Sequence, residues 1–108
     1  MPTESIALTE AVYYTLLSLY SPLHGYGIMQ KVAELSGGRV NLAAGTLYGA
    51  LGTLLEKGWI SALPGETGGR KKQYEITELG KKRVENEILR LRELLANGEK
   101  IIKGESEC

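Results

Sequence analysis

The chain has 108 residues, the size of one small domain with a core thin enough that pairing with another copy would help it. Hydrophobic residues make up 43% of it, and thirteen Lys+Arg balance thirteen Asp+Glu, so the overall charge carries no polyanion-binding signature. Any nucleic-acid contact must come from a local cluster of cations.

The only cysteine, Cys108, is the last residue, which excludes an internal disulfide and suits a reducing compartment. Residues 1–20 show no basic leader followed by an apolar stretch, and no apolar run is long enough to span a bilayer. A cytoplasmic protein with no membrane contact is the expectation.

Residues 8–20 place Leu8, Val12, Leu16 and Leu19 at helical spacing, with Thr9 as a cap, and Ser21-Pro22 ends that helix. Gly25-Tyr26-Gly27 reads as a turn, followed by a second helix to about Ser36 with Ile28, Met29, Val32 and Leu35 inward. Gly37-Gly38 stops it, and residues 39–42 are short and extended, a possible strand. A third helix is predicted over 44–57, with Leu47, Leu51, Leu54 and Leu55 inside and Gly58 as its stop. Gly45, Gly49 and Gly52 each cost that helix roughly 1 kcal/mol relative to alanine, so packing must hold it or something needs its backbone uncovered.

Residues 59–63 and 73–76 read as the strands of a hairpin around a basic, turn-rich tip. Thr77 then caps a last helix in which Val84, Ile88, Leu91 and Leu95 step by four, three and four, an a/d seam with no partner left in its own chain. Asn97-Gly98 is expected to kink or end it, with Ile102 resuming the seam. The expected fold is mainly α with a small β-hairpin: a winged helix-turn-helix domain over 1–77, a C-terminal dimerisation helix over 78–103 and a flexible tail over 104–108.

Three consecutive cations at the hairpin tip, Arg70, Lys71 and Lys72, can neutralise phosphates and release counterions, and Lys81, Lys82 and Arg83 extend the patch. The exposed face at the start of the third helix offers Ala44, Gly45, Thr46, Tyr48 and Gly49. Thr46 can meet base edges or a thymine methyl, and the Tyr48 hydroxyl and the helix N-terminus suit a phosphate. That face holds no Arg, Lys, Gln or Asn, so direct readout of bases is modest. Tyr26 can also touch phosphate. The lone His24 has no companion ligands and suits a structural or phosphate-facing role; no metal site, cofactor motif or catalytic set is present. Trp59 suits core packing or, alternatively, an aromatic wall for a ligand at a dimer interface.

Leu23-His24-Gly25-Tyr26-Gly27-Ile28, Gly45-Thr46-Leu47-Tyr48, residues 54–60 (LLEKGWI) and residues 70–80 (RKKQYEITELG) resemble, in that order, the PadR-type transcriptional regulators, and the last helix fits their short branch. The resemblance implies a homodimeric winged-helix repressor on a palindromic DNA operator, released by a small and often aromatic effector. It maps the opening of the recognition helix to Gly45, Thr46, Leu47 and Tyr48, the basic wing to Arg70, Lys71 and Lys72, and dimerisation to Val84, Ile88, Leu91 and Leu95. Gly49 and Gly52 stand where other branches carry proline or a basic residue, and the last helix has no tryptophan, which the multidrug-binding branch uses to sandwich planar ligands. A groove for an aromatic effector between the last and first helices would be lined by Tyr13, Tyr14, Leu17, Ile88 and Leu91. The competing reading is a winged helix used for protein contact without a specific DNA target.

Overall fold

The computed structural model describes residues 7–64 and 72–104. Its elements are α1 (Glu10–Ser18), β1 (Leu23–His24), α2 (Gly25–Leu35), α3 (Ala44–Lys57), β2 (Ile60–Leu63), β3 (Gln73–Ile76) and α4 (Glu78–Lys103). The Thr9 side chain caps α1 by accepting from the Val12 N–H at 3.1 Å, as the sequence suggested, although the helix is shorter at its end than expected. Gly58 ends α3 in the left-handed conformation at φ 77°. Its neighbour in space is Thr77, whose hydroxyl donates to the Gly58 carbonyl at 2.7 Å and accepts from the Gly80 N–H at 3.0 Å. One side chain thus closes the start of α4 and ties it to the end of α3.

Several expectations change. Gly25 is the first residue of α2 rather than part of a turn, because His24 caps the helix, its Nδ1 accepting from the Gly27 N–H at 3.4 Å. Residues 39–42 form no strand. The hairpin is a three-stranded antiparallel sheet in the order β1-β3-β2, with Leu23 opposite Tyr74 and His24 opposite Gln73. A two-residue strand carries no alternation to read, so only its partner reveals it. On the other edge of β3, Ile60 faces Ile76 and Leu63 faces Gln73. Helix α4 runs unbroken through Asn97-Gly98, since a helical glycine costs about 1 kcal/mol and does not by itself terminate a long helix.

The core is one cluster: Leu16 and Leu19 of the α1 region, Ile28 and Val32 of α2, Leu47, Leu51 and Leu54 of α3, and Ile60, Tyr74 and Ile76 of the sheet, closed by Val84 of α4. Val84 is 1% exposed in the single chain, so the first residue of the expected dimer seam is spent on its own core and has no surface left for a partner. Gly80 is buried because the chain crosses there: a Cβ would collide with the Trp59 carbonyl oxygen and the Ile76 side chain. Beyond the core α4 projects. Its 26 residues span about 39 Å at 1.5 Å each, and the radius of gyration of 16.6 Å exceeds the roughly 13 Å of a compact chain this long.

Candidate nucleic-acid interface

Burying Leu47, Leu51 and Leu54 fixes the rotation of α3 and turns its other face outward. Ala44, Gly45, Thr46, Tyr48 and Gly49 are all exposed on it, Tyr48 by 52%. The N-cap of α3 is Ala43, which makes no side-chain bond to the helix, and its first turn has no acid. The first N–H groups are therefore left to an external acceptor, and the positive end of the helix is not neutralised. Nothing lies within 4 Å of a Cβ built on Gly45, Gly49 or Gly52, so their lack of side chains serves no internal packing and leaves the backbone open to an approaching surface.

Tyr48 joins α3 to α2. A Cβ on Gly25 would overlap the Tyr48 hydroxyl, so the phenol rests directly on the first residue of α2. Beneath it the buried Tyr74 phenol is pushed above its ordinary pKa by burial, with a further push from Tyr48. One residue along, Tyr26 is 62% exposed, and Gln30 donates toward its hydroxyl at 3.5 Å. The fold thus brings Tyr48 onto Gly25, the residue before Tyr26, across most of α2 in sequence. It also adds Gln30, whose only sequence signal is its place one turn after Tyr26, and His24, which acts as the α2 cap.

Of the expected basic wing, Lys72 is exposed immediately before β3, while Arg70 and Lys71 lie outside the described residues. The extension of that patch by residues 81–83 holds only in part. Lys82 is exposed, and Lys81 lies 3.5 Å from Glu78 and over the Tyr20 ring. Arg83 is 3% exposed, pairs with Glu87 at 3.8 Å and lies over the Trp59 ring, so it is an interior cation. Glu87, also 3% exposed, binds Arg90 at 2.6 Å. That hydrogen bond, the Leu8 N–H and Arg83 together outweigh burial and hold the Glu87 carboxyl below its ordinary pKa.

The residues expected to line an effector groove divide. Tyr13, Tyr14, Leu17 and Ile88 pack against the core, whereas Leu91 is 40% exposed. Trp59 also packs on the core, as the simpler reading of it required. Past Ile88 the stripe on α4 is open, with Leu94 52%, Leu95 62%, Ile101 65% and Ile102 86% exposed. No helix among the described residues is long and apolar enough to cross a membrane.

This arrangement, a helical triad whose third helix is presented beside a small antiparallel sheet, is the winged helix-turn-helix DNA-binding fold of transcription regulators. The sequence profile described as the transcriptional regulator PadR-like family matches residues 14–86, and the chain belongs to that family. It is 39% identical over 66 residues to an uncharacterized 37.1 kDa protein of transposon TN4556 from Streptomyces fradiae, a match that covers 61% of this chain and 18% of that much longer one. A PadR family transcription regulator from Clostridium difficile R20291 is 25% identical with a TM-score of 0.67, over 84% of this chain and 97% of its own. Another from Eggerthella lenta DSM 2243 has the same fold, with a TM-score of 0.71 at 22% identity, over 84% and 80% of the two chains.

Proposed function

We propose that the protein is a homodimeric repressor that binds a palindromic operator through α3 and the wing, and that a small aromatic effector releases it. The observation that carries the DNA reading is the outward face of α3. It has an uncapped, acid-free N-terminus, three glycines with nothing against them, and Tyr48 held over Gly25 beside Tyr26. Ala44, Gly45 and Thr46 approach the groove, Tyr26 and Tyr48 meet phosphate, and Arg70, Lys71 and Lys72 hold the flanking backbone.

The dimer reading rests on the open stripe of α4. Leu91, Leu95 and Ile102 continue the seam, with Leu94 and Ile101 beside it, and Gly98 falls between them with open space around it. A second copy of the same helix covers this stripe best, since nothing else among the described residues lies on it. Effector release is the regulatory step that family membership suggests, and the groove at Tyr13, Tyr14, Leu17, Ile88 and Leu91 is one seat for it.

Salt-dependent binding to the DNA upstream of the gene tests the proposal. Replacing Arg70, Lys71 and Lys72 together by alanine should reduce the slope of log K against log salt by up to about 3, since each phosphate contact contributes roughly 0.9. An unchanged slope removes the wing from the interface. No binding in dilute buffer favours the protein-contact reading, which the balanced net charge supports.

A further inference from the structure

Helix α4 leaves the body at a cluster of charges. Its last buried residue is Glu87, and three residues on the Arg90 side chain is already 31% exposed. The Glu87 carboxylate accepts a fork of two bonds from the Arg90 guanidinium, from Nε at 3.1 Å and from Nη2 at 2.6 Å. Arg83, as buried as Glu87, approaches it to 3.8 Å. The Leu8 N–H, in the segment before α1, donates to the same carboxylate. Beyond Arg83 the cluster meets the Trp59 ring, 5.4 Å away, and the Trp59 N–H donates to the Leu54 carbonyl of α3 at 3.1 Å. One carboxylate thus gathers the root of α4, the entry to α1 and the end of α3.

Such a cluster is a poor source of stability, because taking charges out of water costs about as much as pairing them returns. What it supplies is direction. A carboxylate with both oxygens bonded holds its partners at fixed angles, whereas the apolar contacts of Val84 and Ile88 beside it are non-directional. The angle matters because a lever follows. From Glu87 to Ile102 the helix extends about 22 Å at 1.5 Å per residue. A tilt of about 10° at its root moves the far end by about 4 Å, against a rise of about 3.4 Å for one base pair.

We infer that Glu87 is a positioning residue for DNA binding: held by Arg90, Arg83 and the Leu8 N–H, it fixes the angle between α4 and the body and so sets the half-site spacing that a pair of chains accepts. This rests on the dimeric operator-binding reading above. Glu87 is 3% exposed and has no surface to offer DNA, so it acts on spacing and not on the recognition of either half.

A duplex that the whole chain selects from random DNA supplies the probe. It is resynthesised with its centre shortened or lengthened by one and two base pairs, and as a single half-site. The parent should lose about tenfold or more in affinity for each base pair of change. Glu87→Gln keeps the size and the acceptor oxygen but loses the charge. It should bind the altered spacings within about threefold of the selected one, with single half-site affinity within about twofold of the parent's. Arg90→Gln removes the same fork from a part-exposed position and should relax the spacing likewise, so the test stands even if Glu87→Gln fails to fold. Ile28→Val, a core change in α2, should keep the parent's discrimination. A sharp spacing preference in Arg90→Gln and in any folded Glu87→Gln, equal relaxation in Ile28→Val, or a half-site loss as large as the loss on the full duplex would each overturn the assignment and leave the operator reading intact. A parent that binds one half-site as tightly as two sinks the dimeric reading and this inference with it. A parent that selects no duplex sinks the DNA reading as a whole.

Discussion

Single atoms decide more in this chain than its composition suggests. Gly80 sits where the start of α4 passes over the Trp59 carbonyl, and that oxygen cannot move without breaking its bond from the Thr77 N–H at 2.9 Å. Gly80→Ala should therefore destabilise the fold by about 1–3 kcal/mol or more, as overpacking does, instead of adding helix propensity, and urea denaturation measures it. Glu87 acts through charge. Its carboxyl titrates below the ordinary value of 4.5, chiefly because Arg90 donates to it. The unfolded chain then takes up that proton at a higher pH than the folded one. The stabilisation is complete above the ordinary value and is lost as pH falls through the lower, folded value. Acid unfolding of Glu87→Gln should accordingly have a shallower pH dependence below about pH 4.5 than the parent, and equal slopes would show that the ion pairs contribute nothing.

At the level of elements, α3 carries three glycines that cost it helix stability and serve no internal packing. Gly49 has helical geometry and open space around it. Gly49→Ala should thus stabilise the protein by about 0.5–1 kcal/mol while weakening operator binding, because the added methyl projects from the face proposed to meet DNA. Tighter folding with undiminished binding would show that this turn stays outside the groove. The spacing of Leu47, Leu51 and Leu54 made the helix and most of its inner face readable from sequence, although Leu55, also expected inside, is exposed, and Gly58 and Thr77 marked its end and the start of the next. Strand β1 was not readable, since it exists only because a distant segment, β3, lies alongside; the His24 cap is a local bond to Gly27, made by a residue type outside the usual Ser, Thr, Asp and Asn caps.

For the molecule as a whole, the governing feature is a helix that leaves the body. Its first turns are anchored by Val84 and by Glu87 with its two arginines, and its remainder carries an uncovered apolar stripe. Leu91→Glu with Leu95→Glu should convert a dimer to monomers in sedimentation without unfolding the body, because both side chains are exposed in the single chain. In the proposed dimer the two α3 helices should lie about 34 Å apart, one turn of B-DNA, and the monomeric variant should lose most operator affinity with its second half-site.

The sequence alone determined the helical periods, the caps at Thr9 and Thr77, the stop at Gly58 and the family, because each is written in residues close together along the chain. Tertiary structure decided the rest: that Val84 and Arg83 face inward, that Tyr48 rests on Gly25, and that Lys57 and Arg83 converge on Trp59. Periodicity gives the angle of a side chain about its own helix axis. It does not say which of two apolar stripes the body covers and which it leaves to water or to a partner.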